Sequence, residues 1–205
     1  YGLFVAPPRP KSFFMVRTRT KRQGRCTPNR RGLIVGFFLT LLAAASPALG
    51  DQNDPRLDPL FSALRQAEDV TKARRVEAGI WRIWSQYSDD PIIDRMMRHG
   101  ARLMAAEKMK QAAEVFDQVV TRAPAFAEGW NRRATLRFLT GDFDGSVADI
   151  SQVLNLEPRH FGALSGLGLI YMALERPQGA LKAFERALQI NPHMTSARRH
   201  AAHLR

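Results

Sequence analysis

Pro124, Pro158 and Pro192 stand 34 residues apart, and other positions keep the same interval. Ala112, Ser146 and Ala180 fall in one column, and Phe116, Ile150 and Phe184 in a second. Gly100, Ala134 and Gly168 form a third, and Met96, Trp130 and Leu164 a fourth. A period of this length restricts a chain more than its composition does. Each period is one supersecondary unit that cannot bury its apolar face alone, so neighbouring units must stack to make a core. Leu181, Phe184, Ala187 and Leu188 lie on one stripe of a helix within LKAFERALQI. Gly141 and Asp142 mark a turn between two helices, and Pro158 stands where a missing N–H ends the second. No strand pattern is evident after residue 50. The expectation is an all-α chain of paired helices.

LSGLGLIYMALERPQGALKAFERALQINP, Leu164 to Pro192, has Leu167, Gly168 and Tyr171 in its first half, then Ala180, Phe184 and Pro192. This order of large, small and aromatic positions resembles the tetratricopeptide repeat family. The resemblance covers three units, 93–126, 127–160 and 161–194. It implies a right-handed α-α superhelix, a solenoid whose concave groove is lined by the first helix of each unit. Residues 195–205 read as a C-terminal capping helix, with Ala197, Ala201 and Leu204 on its apolar side. Leu57–Ala67 and Val70–Tyr87 read as a degenerate helical pair within 51–92. Val76, Ile80, Trp81 and Trp84 form its stripe, and it is expected to cap the stack on the N-terminal side. Asp89-Asp90-Pro91 breaks the chain before the first unit.

Members of this family bind extended peptides or partner helices in the groove. Carried over position by position, the resemblance implies groove contacts at Met97, Arg98, Asn131, Arg132, Thr135, Phe138, Ser165, Leu169 and Met172. The lysine, asparagine and arginine clamp of the chaperone-binding members is not reproduced, because Gly162 and Gly166 stand where its last basic residues would be. Arg133 and Arg137 occupy family positions that are normally apolar or aromatic. A buried arginine needs an anion or several carbonyls. Asp149, Glu157 and Glu128 are candidate partners, and the pair is either an interhelical brace or a guanidinium site for an acidic ligand. Gly162, Gly166 and Gly168 leave a helix face almost bare. That face serves either close packing or a groove floor, the latter aided by Arg159 and His160 at a helix N-terminus, where anions are favoured.

Charge separates the two ends of the chain. The net charge is +12, from 31 basic and 19 acidic residues. Nine of the basic residues and no acidic ones lie in residues 1–50, leaving 22 against 19 in the remainder. So small an excess is no electrostatic footprint for nucleic acid. Behind Arg30-Arg31, the stretch Gly32–Ala45 has no charge and leads into SPALG. A basic region, a short apolar run and small residues before a cut make a secretory signal peptide. Cleavage is expected near Gly50, before Asp51, with a cut before Leu49 as the alternative. A retained anchor is the other reading, although about 20 residues are needed to span a bilayer. NRRGLI partly matches a twin-arginine signal. Met15 is a candidate start. These marks point to an exported bacterial protein, periplasmic after cleavage.

Cys26 is the only cysteine and precedes the apolar run, so the mature chain holds no thiol chemistry. His200 and His203 share a helix face but have no acidic neighbour. No nucleophile, P-loop or HExxH motif occurs. The reading is a non-enzymatic adaptor or scaffold that takes a protein or peptide partner, with no cofactor and no metal. The alternative is a small-molecule or anion-binding protein that uses the groove arginines and the glycine-rich face.

Overall fold

The computed structural model describes residues 50–87 and 89–205, and within them there are nine α-helices and no strand. A pair comes first, α1 (Leu57–Arg65) and α2 (Val70–Trp84). Three antiparallel pairs follow: α3 (Pro91–Ala105) with α4 (Met109–Arg122), α5 (Ala127–Leu139) with α6 (Phe143–Leu156), and α7 (Phe161–Ala173) with α8 (Pro177–Ile190). The last helix, α9 (Thr195–His203), packs on α8. The architecture is the expected all-α superhelical stack. Among the described residues no helix is long and apolar enough to cross a membrane. The apolar run at Gly32–Ala45 lies outside them.

The 34-residue interval is also an interval of backbone geometry. Glu107, Gly141 and Glu175 all have positive φ, at 57°, 82° and 54°, in the turn between the helices of each unit. One residue later the N–H of Lys108, Asp142 and Arg176 reaches back to the carbonyls of Leu103, Arg137 and Tyr171 at 2.9, 2.9 and 2.7 Å. This is the left-handed C-terminal cap that satisfies the last carbonyls of a helix. Only the middle unit places glycine there, where no Cβ opposes the conformation.

Within a unit the helices approach by reciprocal size. A Cβ built on Gly100 would lie 2.6 Å from the Phe116 ring, and one on Gly168 would lie 2.6 Å from the Phe184 ring. In the middle unit both members change together: Ala134 replaces the glycine and Ile150 the phenylalanine, and both are buried in one cluster. Ser146 Oγ adds a buried hydrogen bond to the Ala134 carbonyl at 2.7 Å, fastening α6 to α5.

Four helix starts, those of α2, α3, α6 and α7, have a local side-chain cap. Asp69 caps α2, Asp142 caps α6, and Asp90 accepts from Ile92 N–H at 2.9 Å with Pro91 as the first helical residue of α3. The Asp89-Asp90-Pro91 break is thus the start of α3. Helix α5 has no cap of its own. Its Ala127 N–H donates to Gln52 Oε1 at 3.2 Å, and Gln52 Nε2 donates to the Ala125 carbonyl at 2.7 Å, from 75 and 73 residues away.

Gln52 belongs to the segment leading into α1, and the α1–α2 pair corrects the expectation of a simple cap at the N-terminal end. The pair lies along the joints between units. Gln52 holds the joint at 125–127, and Asp58 pairs with Arg159 at the next. Glu77 Oε2 accepts from Asn191 at 3.2 Å at the third. Its apolar face shares a core with Phe161, Ile190 and Met194. The reason is aromatic area: Trp84 is fully buried, stacked flat on His160 at 4.1 Å and 8°, and 5.1 Å from Phe161. Burying so large a ring contributes more than a short helix stacked end-on would.

Two glycines on α7 test this geometry. Gly168→Ala drives a methyl into Phe184 and is expected to cost about 1–3 kcal/mol. Gly166→Ala meets only Ile150 Cδ1, at 3.7 Å, and is expected to stabilise the helix by about 0.5–1 kcal/mol. Urea denaturation of both variants measures the opposite signs.

Candidate functional site

A groove of about 460 Å³ opens between α5 and α7. Asn131, Arg132, Thr135 and Phe138 line it from α5, and Ser165 and Leu169 from α7. These six were expected there. Ile150 and Ile170 deepen its floor, and Leu139, 58% exposed, lies at its margin. The other three expected residues lie elsewhere. Met97 is a correction: it is 8% exposed and packed with Ile93 and Leu103 in the core of the first unit. Met97 stands in the column of Asn131 and Ser165, but on α3 that position is buried with Leu136 in the same core. Arg98 is exposed on α3 and Met172 packs toward the α8–α9 cluster, neither of them lining the groove.

Two lining residues come from outside the helices of the three units: Trp81 of α2 and Met194 at the start of α9. The repeat register could not reveal them. The available signal was Gly162, which lacks a side chain in the column where α5 has Glu128. A Cβ on Gly162 would lie 2.5 Å from the Trp81 ring. The bare face of α7 is therefore divided: Gly162 admits Trp81, Gly168 admits Phe184, and Gly166 alone of the three has room for a Cβ, in ordinary contact with Ile150.

At the inner end of the groove Glu128 is 1% exposed. Asn131 Nδ2 donates to its Oε2 at 2.8 Å, and His160 Nε2 lies 3.3 Å from the same atom. His160 Nδ1 accepts the Ala163 N–H at 3.0 Å, capping α7. The proton therefore sits on Nε2, which donates to Glu128. Arg132 Nε stands 2.7 Å from Glu128 Oε1, but too poorly aligned to hydrogen-bond it. Burial opposes ionisation of Glu128. The His160 hydrogen bond, the Arg132 charge and the Asn131 amide outweigh it and hold the carboxyl below its ordinary 4.5.

The arginine pair of α5 is a brace, and it faces away from this groove. Arg133 forks onto Asp149 at 2.9 and 2.7 Å and gives its remaining arm to Asp117 at 2.8 Å. Arg137 reaches Asp149 at 2.9 Å and the Gly145 carbonyl at 3.0 Å. Asp149, 2% exposed, is thus held by two guanidinium groups, and Arg133 ties α4 of one unit to α5 and α6 of the next. The Asp149 hydrogen bonds, and after them its charge, push the Arg133 guanidinium further up, despite burial. Of the other expected partners, Glu157 binds Arg159, and Glu128 belongs to the groove. With Arg159 held by Glu157 and Asp58, and with His160 capping α7 itself, the anion site that is the alternative reading of this helix N-terminus is already filled by the chain's own groups. His200 stacks on Phe184 at 5.1 Å, and no cluster of three metal-ligating side chains occurs among the described residues.

Asp149→Asn leaves two arginines facing a neutral amide and is expected to cost about 3–5 kcal/mol in chemical denaturation. Asp117→Asn, on the exposed arm, is expected to cost no more than about 1 kcal/mol. Glu128 carries a pH signature. Its folded pKa is depressed, so its stabilisation is fully present above 4.5 and is lost as pH falls through the folded value. The stability gap between wild type and Glu128→Gln is therefore expected to be largest at neutral pH and to narrow in acid. A gap independent of pH would show that the ionised carboxylate contributes nothing.

Family models described as tetratricopeptide repeat match residues 97–153 and 162–194. A TPR repeat-containing protein of Rhizobium etli is 40% identical over 137 residues, covering 67% of each chain. Among solved structures, the Sgt2 TPR domain from Aspergillus fumigatus aligns with a TM-score of 0.53 at 21% identity, covering 56% of this chain and 78% of that one. The first TPR domain of Spaghetti (RPAP3), bound to an HSP90 peptide, aligns with a TM-score of 0.53 at 20% identity, covering 55% and 89%. The paired helices, the repeated turn geometry and the extent of these matches agree: the chain belongs to the tetratricopeptide repeat family.

Proposed function

We propose that this chain is an exported adaptor that takes a protein or peptide segment in the groove between α5 and α7. The observation that carries the reading is the composition of that groove. Phe138, Leu139 and Leu169 supply apolar area over the buried Ile150 and Ile170, and Asn131, Thr135 and Ser165 stand beside it to meet a peptide backbone. Asn131 spends its amide on Glu128 and keeps its carbonyl oxygen for a donor. The solved Spaghetti domain, bound to an HSP90 peptide, lends support by fold alone. Export rests on the basic region, the apolar run Gly32–Ala45 and the small residues up to Gly50, and places the mature protein in the periplasm. The small-molecule or anion reading is the weaker one, because Arg132 faces Glu128 at 2.7 Å and Arg98 lies outside the groove.

A photoreactive residue in place of Leu169, in the full chain expressed in its own host, is expected to give a discrete adduct. The same group at Gln118 on α4, which does not line the groove, is expected to give none. Arg132→Ala is expected to change the yield of the adduct, and Leu169→Glu to weaken capture of the adducted partner by about tenfold or more. Equal labelling at both positions would remove the groove from consideration. N-terminal sequencing of the periplasmic fraction tests export, with Asp51 as the expected first residue.

A further inference from the structure

We propose that Trp81, which belongs to no repeat, is a specificity-determining wall of the groove and selects a partner segment carrying one bulky uncharged apolar side chain. The inference rests on the groove reading above. Trp81 is the residue that α2 contributes to the cavity between α5 and α7. Its position is closely determined. Trp84, His160 and Phe161 meet it edge-on at 5.4, 5.4 and 5.6 Å, with interplanar angles of 85°, 78° and 86°. Its indole N–H is directed to Glu77 Oε1 at 3.4 Å, so the ring offers the groove carbon alone. Gly162 is the condition for this arrangement, since a Cβ there would overlap the ring.

The space beside Trp81 has a definite chemistry. Leu169 and Met194 flank it, and Gly166 leaves the floor open down to Ile150, 3.7 Å from where a Cβ would stand. The charges at its edge oppose each other at 2.7 Å, Arg132 against a Glu128 whose carboxyl stays ionised. An ionised side chain would enter this apolar corner without a free counter-charge, which is costly. A phenylalanine, leucine or methionine would exchange water for indole, thioether and aliphatic surface. With the edge charges paired to each other and the walls apolar, the subsite is committed to a neutral apolar anchor. Trp81 and Met194 also line a second cavity of about 400 Å³ between α2 and the start of α9. Removing the indole would join the two spaces and loosen the selection.

The test probes an array of short random peptides with the full chain, with Trp81→Ala and with Gly166→Leu. Gly166→Leu fills the subsite from the floor without altering any residue of α2, and it preserves the helix. Wild type is expected to enrich peptides with a large apolar residue at one position, and Trp81→Ala to reduce its preference for phenylalanine over alanine there by about tenfold. Gly166→Leu is expected to abolish that preference while keeping a wild-type circular dichroism spectrum. Should Trp81→Ala lose its helical spectrum, Trp81→Leu, which keeps bulk but not the flat ring, takes its place in the comparison. If wild type selects peptides and both sites can be altered with the selection unchanged, the role of Trp81 is overturned and the peptide groove stands. If wild type enriches no peptide at all, the groove reading fails first, and this inference falls with it.

Discussion

A phenylalanine ring can lie against a neighbouring helix at backbone distance only where that helix has no side chain. Gly100 under Phe116 and Gly168 under Phe184 meet that condition, and Ala134 with Ile150 meets it in a smaller version. This contact sets how closely the two helices of a unit approach, and hence the thickness of each unit. The stack, the stagger of its first helices and the groove between α5 and α7 all follow from that approach. The turns are subordinate to it. Glu107 and Glu175 accept a left-handed backbone, a conformation that disfavours a Cβ, because the paired helices on either side demand the sharp return.

A second set of interactions converts the stack into a site. Glu128 is a buried carboxylate held by Asn131 and His160, and His160 is at once the cap of α7 and the plane on which Trp84 stacks. One imidazole thereby joins the inner end of the groove, the next unit and the α1–α2 pair. Such a group is tolerated inside a protein only when both ring nitrogens find partners, and here both do. On the opposite side of α5, Asp149 plays the corresponding part for Arg133 and Arg137. The two faces of α5 thus both carry charge paired with opposite charge, which explains how a helix so poor in aliphatic residues sits in the middle of the stack.

Much of this was written in the chain as local pattern. The columns of proline, small residue and large residue placed the paired helices. The departure of Arg133 and Arg137 from an apolar pattern pointed to a carboxylate, and Asp149 lies where the register allows it. Positions repeating with Asn131 and Ser165 pointed to the groove. Met97 was misplaced because it shares the column of Asn131 and Ser165, and only the tertiary packing buries that position on α3. The division of labour among Gly162, Gly166 and Gly168 was invisible, since a glycine records only that something needs room and not what fills it.

What the sequence by itself determined is whatever repeats: helix pairing, turn position, the approach of glycine to phenylalanine and the existence of a concave face. These depend on neighbours within about one 34-residue unit, so a periodic pattern records them. The tertiary structure alone decided where the non-repeating α1–α2 pair lies, that Gln52 caps α5 from 75 residues away, and that Trp81 and Met194 complete the groove. These contacts join segments with no common period. Their partners are selected by burial of aromatic area and by satisfaction of buried polar groups, and those are properties of the assembled stack rather than of any stretch of the chain.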